Sequence, residues 1–241
     1  MYGGKSMTQQ PTLKKVLIFS GAGISAESGI RTFRDTNGLW EEYKVEDVCS
    51  VAGFRRDPEL VNGFYDARRN DLRDKEPNAA HDMVARMKQK YPDRIYVLTQ
   101  NVDDLFERAG CLDVIHLHGT LTQLRCEDCH HVFDIGYDSQ KGIVCPLCNS
   151  DTIRHNVVMF GESAPMYQQL QDSIDECDFL VVIGTSGQVI DIGFYAAYFE
   201  ESILNNLEKD ESFDCYFTTA YHEKATTAAA KIESDIERFL A

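Results

Sequence analysis

The sequence of 241 residues is 43% hydrophobic and 26% charged, and its 24 Lys and Arg stand against 39 Asp and Glu, a formal net charge of −15. The length suits one large α/β domain or one domain with a small insert. The negative charge argues against nucleic-acid binding, which needs cations to neutralise phosphates, and against adhesion to an anionic membrane. No apolar run approaches the roughly 20 residues of a spanning helix. Residues 1–12 contain no secretory signal, so we expect a disordered leader on a cytoplasmic protein without nucleic-acid or membrane partners.

Short apolar runs and helical stretches alternate along the chain. Five runs predict strands, at residues 16–19, 95–99, 114–115, 157–160 and 179–183, and helical periodicity follows at residues 81–90 and 166–176. Strands that alternate with helices indicate a parallel sheet covered on both faces. We therefore expect an α/β fold, a Rossmann-like doubly wound sheet.

Two segments interrupt this alternation, and we expect them to pack together as a small domain. The first, about Leu39 to Asp74, has amphipathic helical character without a convincing strand, and the second contains paired cysteines. The predicted small domain, a helical insert plus a zinc ribbon, comprises residues 45–73 and 124–155. The predicted Rossmann-like domain comprises residues 13–44, 74–123 and 156–241.

Four of the eight cysteines form two Cys-x-x-Cys pairs, Cys126 with Cys129 and Cys145 with Cys148, with fifteen residues between the pairs. Each pair can sit on a tight turn, and two such turns complete a tetrahedron around zinc. Four thiolates leave no open position, which predicts a structural ion that does not activate water. His130 and His131 follow directly and could substitute as ligands, although exposed loop histidines are the interpretation we favour.

Polar clusters follow every predicted strand, beginning at Ser20, Gln100, His116, Gly161 and Gly184. Because the carboxyl ends of parallel strands meet at one edge of the sheet, the five clusters should line one crevice. One such cluster would mean little, since strands often end in polar turns. Five together predict a site.

The first cluster matches the G-x-G-x-x-G/A fingerprint over residues 21–26. Gly21 would allow the tight turn, and Gly23 would let the backbone approach a pyrophosphate at the start of a helix. A dinucleotide dehydrogenase also needs an acidic residue at the end of a second strand, about twenty positions on. Glu41 and Glu42 fall near that distance but do not end a strand, which weakens the hydride-transfer interpretation.

Several motifs occur in a characteristic order: Gly21 to Ile30 with Thr32-Phe33-Arg34, Gln100-Asn101-Val102-Asp103, His118-Gly119, the two cysteine pairs, Phe160-Gly161-Glu162 and Gly184-Thr185-Ser186. This order resembles the sirtuins, the NAD-dependent protein-lysine deacylases, and among them the bacterial CobB-like, class III branch. The resemblance covers about residues 14 to 190.

The resemblance implies that NAD is a co-substrate and that acylated-lysine proteins or peptides are the partners. It implies cofactor contacts from Gly21, Ala22, Gly23, Ser25, Phe33, Arg34, Trp40, Gln100, Asn101, Asp103, Gly184, Thr185, Ser186, Asn206, Leu207, Glu208 and Ala228. Trp40 would pack the cofactor loop or anchor the small domain. The peptide would enter as an added strand between Val158, Phe160 and Gly161 on one side and residues 187–189 on the other.

His118 is the residue that the resemblance implies as general base on the ribose hydroxyls, after the acyl oxygen has attacked the ribose and expelled nicotinamide. An imidazole suits a base that works near neutral pH. Without the resemblance, His116 and His118 cannot be distinguished, and a histidine held by backbone is the ordinary interpretation of either. His81 is predicted to close a helix start.

Tyr65 and Arg68 carry the prediction on substrate choice. On a helix they share a face, and a guanidinium beside a phenol can hold a carboxylate. The ordinary alternative is a solvated helix with surface arginines. The resemblance implies that the pair accepts succinyl- and malonyl-lysine. Cys49 stands where that branch tends to have alanine, which predicts a slightly narrower acyl pocket.

The resemblance weakens beyond residue 190. The family commonly has proline where Asp191 stands, residues 202–205 look like a poor strand, and Ala228 is only the nearest candidate for an adenine contact. We expect NAD-dependent removal of acetyl, succinyl and, as a further candidate, malonyl groups, giving nicotinamide and O-acyl-ADP-ribose. The alternatives are protein mono-ADP-ribosyl transfer and a non-catalytic module that binds NAD or ADP-ribose.

Overall fold

A computed structural model describes residues 13–31 and 43–241 and the backbone of residues 39–40. The predicted leader, Phe33, Arg34 and the side chain of Trp40 lie outside the described residues. The elements as far as residue 116 are β1 (Val16–Ser20), a 3-10 helix (Ala22–Ser28), β2 (Leu39–Trp40), β3 (Tyr43–Lys44), α1 (Val45–Val48), α2 (Val51–Arg56), α3 (Pro58–Leu72), α4 (Ala79–Lys90), β4 (Ile95–Thr99), α5 (Leu105–Arg108) and β5 (Val114–His116). Then come β6 (Gly119–Cys126), β7 (Val132–Asp134), β8 (Ile153–Val157), α6 (Tyr167–Glu176), β9 (Phe179–Ile183), α7 (Ile192–Ala196), β10 (Glu201–Asn206), α8 (Glu211–Asp214), β11 (Thr219–His222) and α9 (Ala225–Leu240).

Six parallel strands form the main sheet in the order β11-β10-β9-β1-β4-β5. This confirms the predicted α/β class and four of the five predicted strands. The segment that looked like a poor strand is β10, in which every residue after Glu201 is buried. Pairing with β9 and β11 on its two sides outweighs its weak intrinsic preference.

The predicted strand at residues 157–160 is wrong as a member of this sheet. The chain forms β8 instead, which ends at Val157 and lies antiparallel to β6 in a three-stranded sheet of order β7-β6-β8. Apolar runs of this length do not reveal which sheet they join, because that depends on partners distant in sequence.

Alternation along the central strands supplies the two faces of the core. In β1, Val16 and Ile18 pack with α4 and α9, whereas Leu17 and Phe19 pack with α6 and α7. All four side chains are fully buried, as expected of a strand covered by helices on both sides. This burial holds the carboxyl ends of the strands at one rigid edge.

The helical insert packs against the antiparallel sheet at β6 and β8. Val61 and Phe64 of α3 share an apolar cluster with Leu121 and Val157, while Leu124 and Ile153 form a separate small cluster with the paired cysteines. The predicted domain boundaries stay a prediction. Among the described residues, no helix is both long and apolar enough to cross a membrane.

Candidate functional site

Turns at the carboxyl edge of the main sheet interlock through backbone hydrogen bonds. Gly21 N–H donates to Ile183 O (3.0 Å), Gln100 N–H to Ser20 O (2.9 Å) and Gly184 N–H to Asn205 O (2.8 Å). Leu117 N–H, which follows β5, donates to Thr99 O (2.8 Å) in the same way, so the predicted clusters after β1, β4, β5 and β9 do converge. The cluster at Gly161 follows β8 instead and reaches the same edge through Val158 N–H, which donates to His118 O at 2.9 Å.

The glycine turn owes its composition to close packing of two backbones. A Cβ on Gly23 would lie 2.6 Å from Gly184 Cα, and one on Gly21 would lie 2.8 Å from Gly184 O. Gly184 itself has φ +69°, where L side chains are strained. Because Gly21 has an extended backbone, space and not a left-handed conformation requires glycine there. Gly23 N–H donates to Gly184 O (2.8 Å), so its amide is already paired within the protein.

A buried polar network joins this turn to the loop after β4. The Ser25 hydroxyl donates to Asp103 Oδ2 (3.0 Å) and accepts from Asn101 Nδ2 (3.1 Å), and His81 Nε2 lies 3.3 Å from it. His81 Nδ1 accepts from Asn78 N–H (3.2 Å), which leaves the proton of a neutral ring on Nε2 as a second donor to Ser25. The network brings three predicted cofactor residues together.

His81 also confirms the prediction that it closes a helix start, because it completes a capping box with Asn78 at the beginning of α4. Burial lowers the pKa of His81 to about 4. Burial likewise raises the pKa of Asp103, against a partial opposing effect from its hydrogen bonds to Leu105 N–H and the Ser25 hydroxyl. The sequence pattern identified the cap but did not reveal that the same ring contacts Ser25.

The structure separates His116 from His118 by their partners. His116 Nδ1 lies 2.9 Å from Asn101 O and its Nε2 lies 3.0 Å from Glu107 Oε1, two acceptors that favour an imidazolium. Burial lowers the pKa of His116, but the Glu107 carboxylate and the Asn101 carbonyl outweigh it and the net shift is upward. Because both ring nitrogens face acceptors of the protein, His116 is less suited than a ring with one open nitrogen to accept a proton from a substrate.

His118 has the opposite arrangement. Its Nδ1–H donates to Gln100 O (3.1 Å), so the lone pair of the neutral ring is on Nε2, where the Tyr167 hydroxyl donates at 3.1 Å. Burial lowers the pKa of His118, partly offset by the hydrogen bond to Gln100. Tyr167, the first residue of α6, had no recognisable signal in the sequence, because its contact depends on how α6 is placed.

Residues predicted on the adenosine side differ in how the structure places them. Thr185 accepts from Gln100 Nε2 (3.0 Å) through its hydroxyl and from Asn206 Nδ2 (2.7 Å) through its carbonyl, so these side chains are tied together beside half-buried Ser186. Leu207 and Glu208 are exposed at the end of β10. Ala228 is fully buried in the core with Ile232, and its predicted adenine contact stays a prediction.

Tyr65 and Arg68 are buried, being 2% and 8% exposed, so the alternative of a solvated surface helix is wrong. The Tyr65 hydroxyl lies beside the buried Cys49 thiol, and Arg68 lies close enough to act on both groups electrostatically. Burial raises the pKa of Cys49 to about 11, so the thiol is neutral there near pH 7. Cys49 O also accepts from Phe160 N–H (2.8 Å), which connects this pocket to residues 158–162.

The four paired cysteines form one cluster in which all sulfurs lie within 4.8 Å of one another. Sulfur pairs are 3.5 and 3.6 Å apart, and a tetrahedral ion with Zn–S bonds near 2.3 Å requires about 3.8 Å. His130 and Asn149 follow the pairs with φ of 59° and 60°, and their amides donate to the carbonyls of Cys126 and Cys145. These two matched turns fit a structural zinc, and neither His130 nor His131 belongs to the cluster.

Comparisons with known proteins find similar sequences over most of the chain. The model of the Sir2 family matches residues 21–191. An NAD-dependent protein deacylase of Campylobacter jejuni subsp. jejuni serotype O:2 is 50% identical over 228 residues, which cover 95% of this chain and 98% of that protein. One from Helicobacter hepaticus is 40% identical over 252 residues, covering 94% and 99%.

Solved structures are similar over the same extent. A crystal structure of a Sir2 homolog–NAD complex has a TM-score of 0.82 at 31% identity and covers 95% of this chain and 91% of its own. A structure described as a basis for the mechanism and regulation of Sir2 enzymes has a TM-score of 0.75 at 34% identity, covering 94% of each chain.

Proposed function

The chain belongs to the Sir2 family, and we propose that it is an NAD-dependent protein deacylase that acts on acylated lysine. The observation that carries this proposal is the state of His118. Its Nδ1–H is held by Gln100 O, and its basic Nε2 accepts from the Tyr167 hydroxyl, at the edge where the glycine turn and the Ser25 network meet. A module that only binds NAD or ADP-ribose would not need a base oriented in this way.

NAD, when bound, supplies the ribose to which the acyl group passes. The protein's part is to hold this substrate and to accept a proton. His118 Nε2 accepts the proton of a substrate hydroxyl that displaces the Tyr167 hydroxyl from the same lone pair. His116 is held between the Glu107 carboxylate and the Asn101 carbonyl, so it positions this edge and does not act as the base. Ser25, Asn101 and Asp103 keep the floor of the pocket rigid because their polar atoms satisfy one another.

The acylated peptide would bind along residues 158–162. Phe160 N–H and C=O already pair with Cys49 and Val51, so the opposite edge, at exposed Gly161, is the one that can accept an added strand. Val189, which is 55% exposed, lies in the segment expected on the other side of that peptide. Strand addition recognises the main chain, so this binding mode would accept many protein sequences.

The acyl group would extend towards Tyr65 and Arg68. A buried guanidinium beside a phenol suits a negatively charged acyl end, since charge-assisted hydrogen bonds are strong where water is excluded. In a chain of net charge −15, this local cation is what would attract a succinyl group. The buried Cys49 thiol lies beside Tyr65 and narrows this space, so the smaller acetyl group should also be accepted.

A paired assay tests both parts of the proposal: one peptide carrying acetyl-lysine or succinyl-lysine, with NAD, compared by kcat/KM. Arg68→Met should reduce succinyl removal much more than acetyl removal, and the exposed Arg56→Met is the matched control. His118→Ala should abolish both activities without unfolding the protein. If Arg68→Met lost the same fraction of kcat/KM for both acyl groups, the proposed binding of the succinyl carboxylate by Arg68 would be refuted.

The reaction product separates deacylation from the alternatives. O-acyl-ADP-ribose detected by mass spectrometry supports deacylation, ADP-ribose attached to protein supports transfer, and binding without nicotinamide release supports a non-catalytic module. We also propose a cytoplasmic location, in which the four ribbon thiolates stay reduced, with no nucleic-acid or membrane partner. Fractionation of cells and tests for nucleic-acid binding would check these points.

A further inference from the structure

The segment Val158–Glu162, here called the substrate loop, is held at several backbone atoms. Val158 N–H donates to His118 O (2.9 Å), and Phe160 N–H donates to Cys49 O (2.8 Å). Met159 N–H donates to Glu162 Oε2 (2.8 Å), while Glu162 N–H returns a bond to Met159 O (3.0 Å). The Glu162 carboxylate therefore closes the turn that presents Gly161.

Arg154 of β8 forms an ion pair with that carboxylate. The residue is 1% exposed, its Nη1 donates to Val157 O (3.0 Å), and its Nη2 donates to Glu162 Oε1. The third direction of the guanidinium is used as well, because Nε donates to Glu127 Oε1 at 2.9 Å. A buried guanidinium needs such partners, since removing one leaves charge without compensation.

Glu127 belongs to the cysteine cluster by position, because it follows Cys126 directly in the first Cys-x-x-Cys turn. Its amide donates to Thr152 O (2.9 Å), which fixes it against the strand entering β8. Arg125 also reaches both carboxylates, with Nη2 3.1 Å from Glu127 Oε1 and 3.4 Å from Glu162 Oε1. One connected ion network thus runs from the cysteine turn to the substrate loop.

We propose that Glu127 and Arg154 are positioning residues for substrate, which transmit the geometry of the cysteine turn to the peptide-binding edge. The link to substrate rests on the proposed function, whereas the link to the loop does not. Glu127 fixes the Nε of Arg154 and Val157 O fixes its Nη1, and because a planar guanidinium orients all its donors together, these two contacts aim Nη2 at Glu162. The cysteine cluster then contributes to peptide binding as well as to folding.

Hydrogen exchange at the Met159 amide tests the link to the loop. In Glu127→Ala this amide should exchange about tenfold faster or more, since a weakened charge-assisted bond costs roughly a factor of ten. Asp128→Ala is the matched control, because it removes a carboxylate from the same turn whose partner is Ser150 and not Arg154. Glu127→Gln, which keeps an acceptor oxygen, should lie between the two and remains informative where alanine impairs folding.

Kinetics test the link to substrate on the same variants. Glu127→Ala should raise KM for the acylated peptide and leave the Kd of NAD and the zinc content of the chain as in Asp128→Ala. Unchanged exchange at Met159 would overturn the proposal, and so would faster exchange with an unchanged peptide KM. If the unaltered protein shows no deacylation while Met159 still responds, the proposed function has failed but the coupling to the loop stands.

Discussion

Buried His81 should make this protein unusually sensitive to acid. The ring is fully buried, bonds to Asn78 through one nitrogen and to Ser25 through the other, and burial lowers its pKa from 6.5 to about 4. The unfolded chain binds a proton at this histidine below pH 6.5, whereas the folded chain does not until about pH 4. Its contribution to the free energy of unfolding is therefore fully present above pH 6.5 and is lost as the pH falls towards 4.

The two pKa values give the size of the effect. Each unit of difference between the folded and unfolded pKa is worth about 1.36 kcal/mol. Between pH 7 and pH 4.5, His81 alone should therefore lower the free energy of unfolding by about 2.4 kcal/mol. His155, whose pKa burial and the nearby Arg69 lower to about 3, adds a loss of similar size over the same range. A typical domain is stable by about 5–15 kcal/mol, so the two together are substantial.

The perturbation that isolates His81 is His81→Gln. Glutamine at the third helical position can still complete the capping box with Asn78, so the variant removes the titrating group and keeps the cap. Urea unfolding at pH 7, 6, 5 and 4.5 should show that the variant loses about 2.4 kcal/mol less than the unaltered chain. All other groups are the same in both proteins, so their contributions cancel in this difference. His222→Gln, which removes a histidine outside the network, is the control, and parallel curves for His81→Gln and the unaltered protein would refute the reasoning.

Three further predictions concern the glycine turn, the cysteine cluster and the base. Gly23→Ala should lower stability by about 1–3 kcal/mol, because its Cβ meets the backbone of Gly184. Gly63→Ala, which has open space around its Cβ, should stabilise α3 by up to about 1 kcal/mol. Thermal unfolding measures both effects. Cys126→Ser should release zinc, measured by atomic absorption, and lower the Tm, while a serine at exposed Cys215 should change neither. Because burial lowers the pKa of His118, kcat/KM should fall on the acid side only below pH 6.5, and an acid limb above that value would contradict its role as base.

Features that depend on residues close together in the chain could be predicted from the amino-acid sequence. Two Cys-x-x-Cys turns bring four sulfurs to one point because each turn is local, and alternating strands and helices leave few arrangements other than a covered parallel sheet. The helix cap at His81 and the polar strand ends were found in the same way. The order of these motifs was enough to identify the family.

The partners that each side chain contacts depend on the tertiary structure. In the tertiary structure, β8 belongs to the antiparallel sheet, residues 201–206 form a strand between β9 and β11, and Ala228 lies in the core. The tertiary structure also distinguishes His116 from His118, two residues apart with the same side chain, because one ring faces the Glu107 carboxylate and the other faces a carbonyl and a hydroxyl. A protonation state depends on such long-range contacts and on burial, and neither is encoded by spacing along the chain.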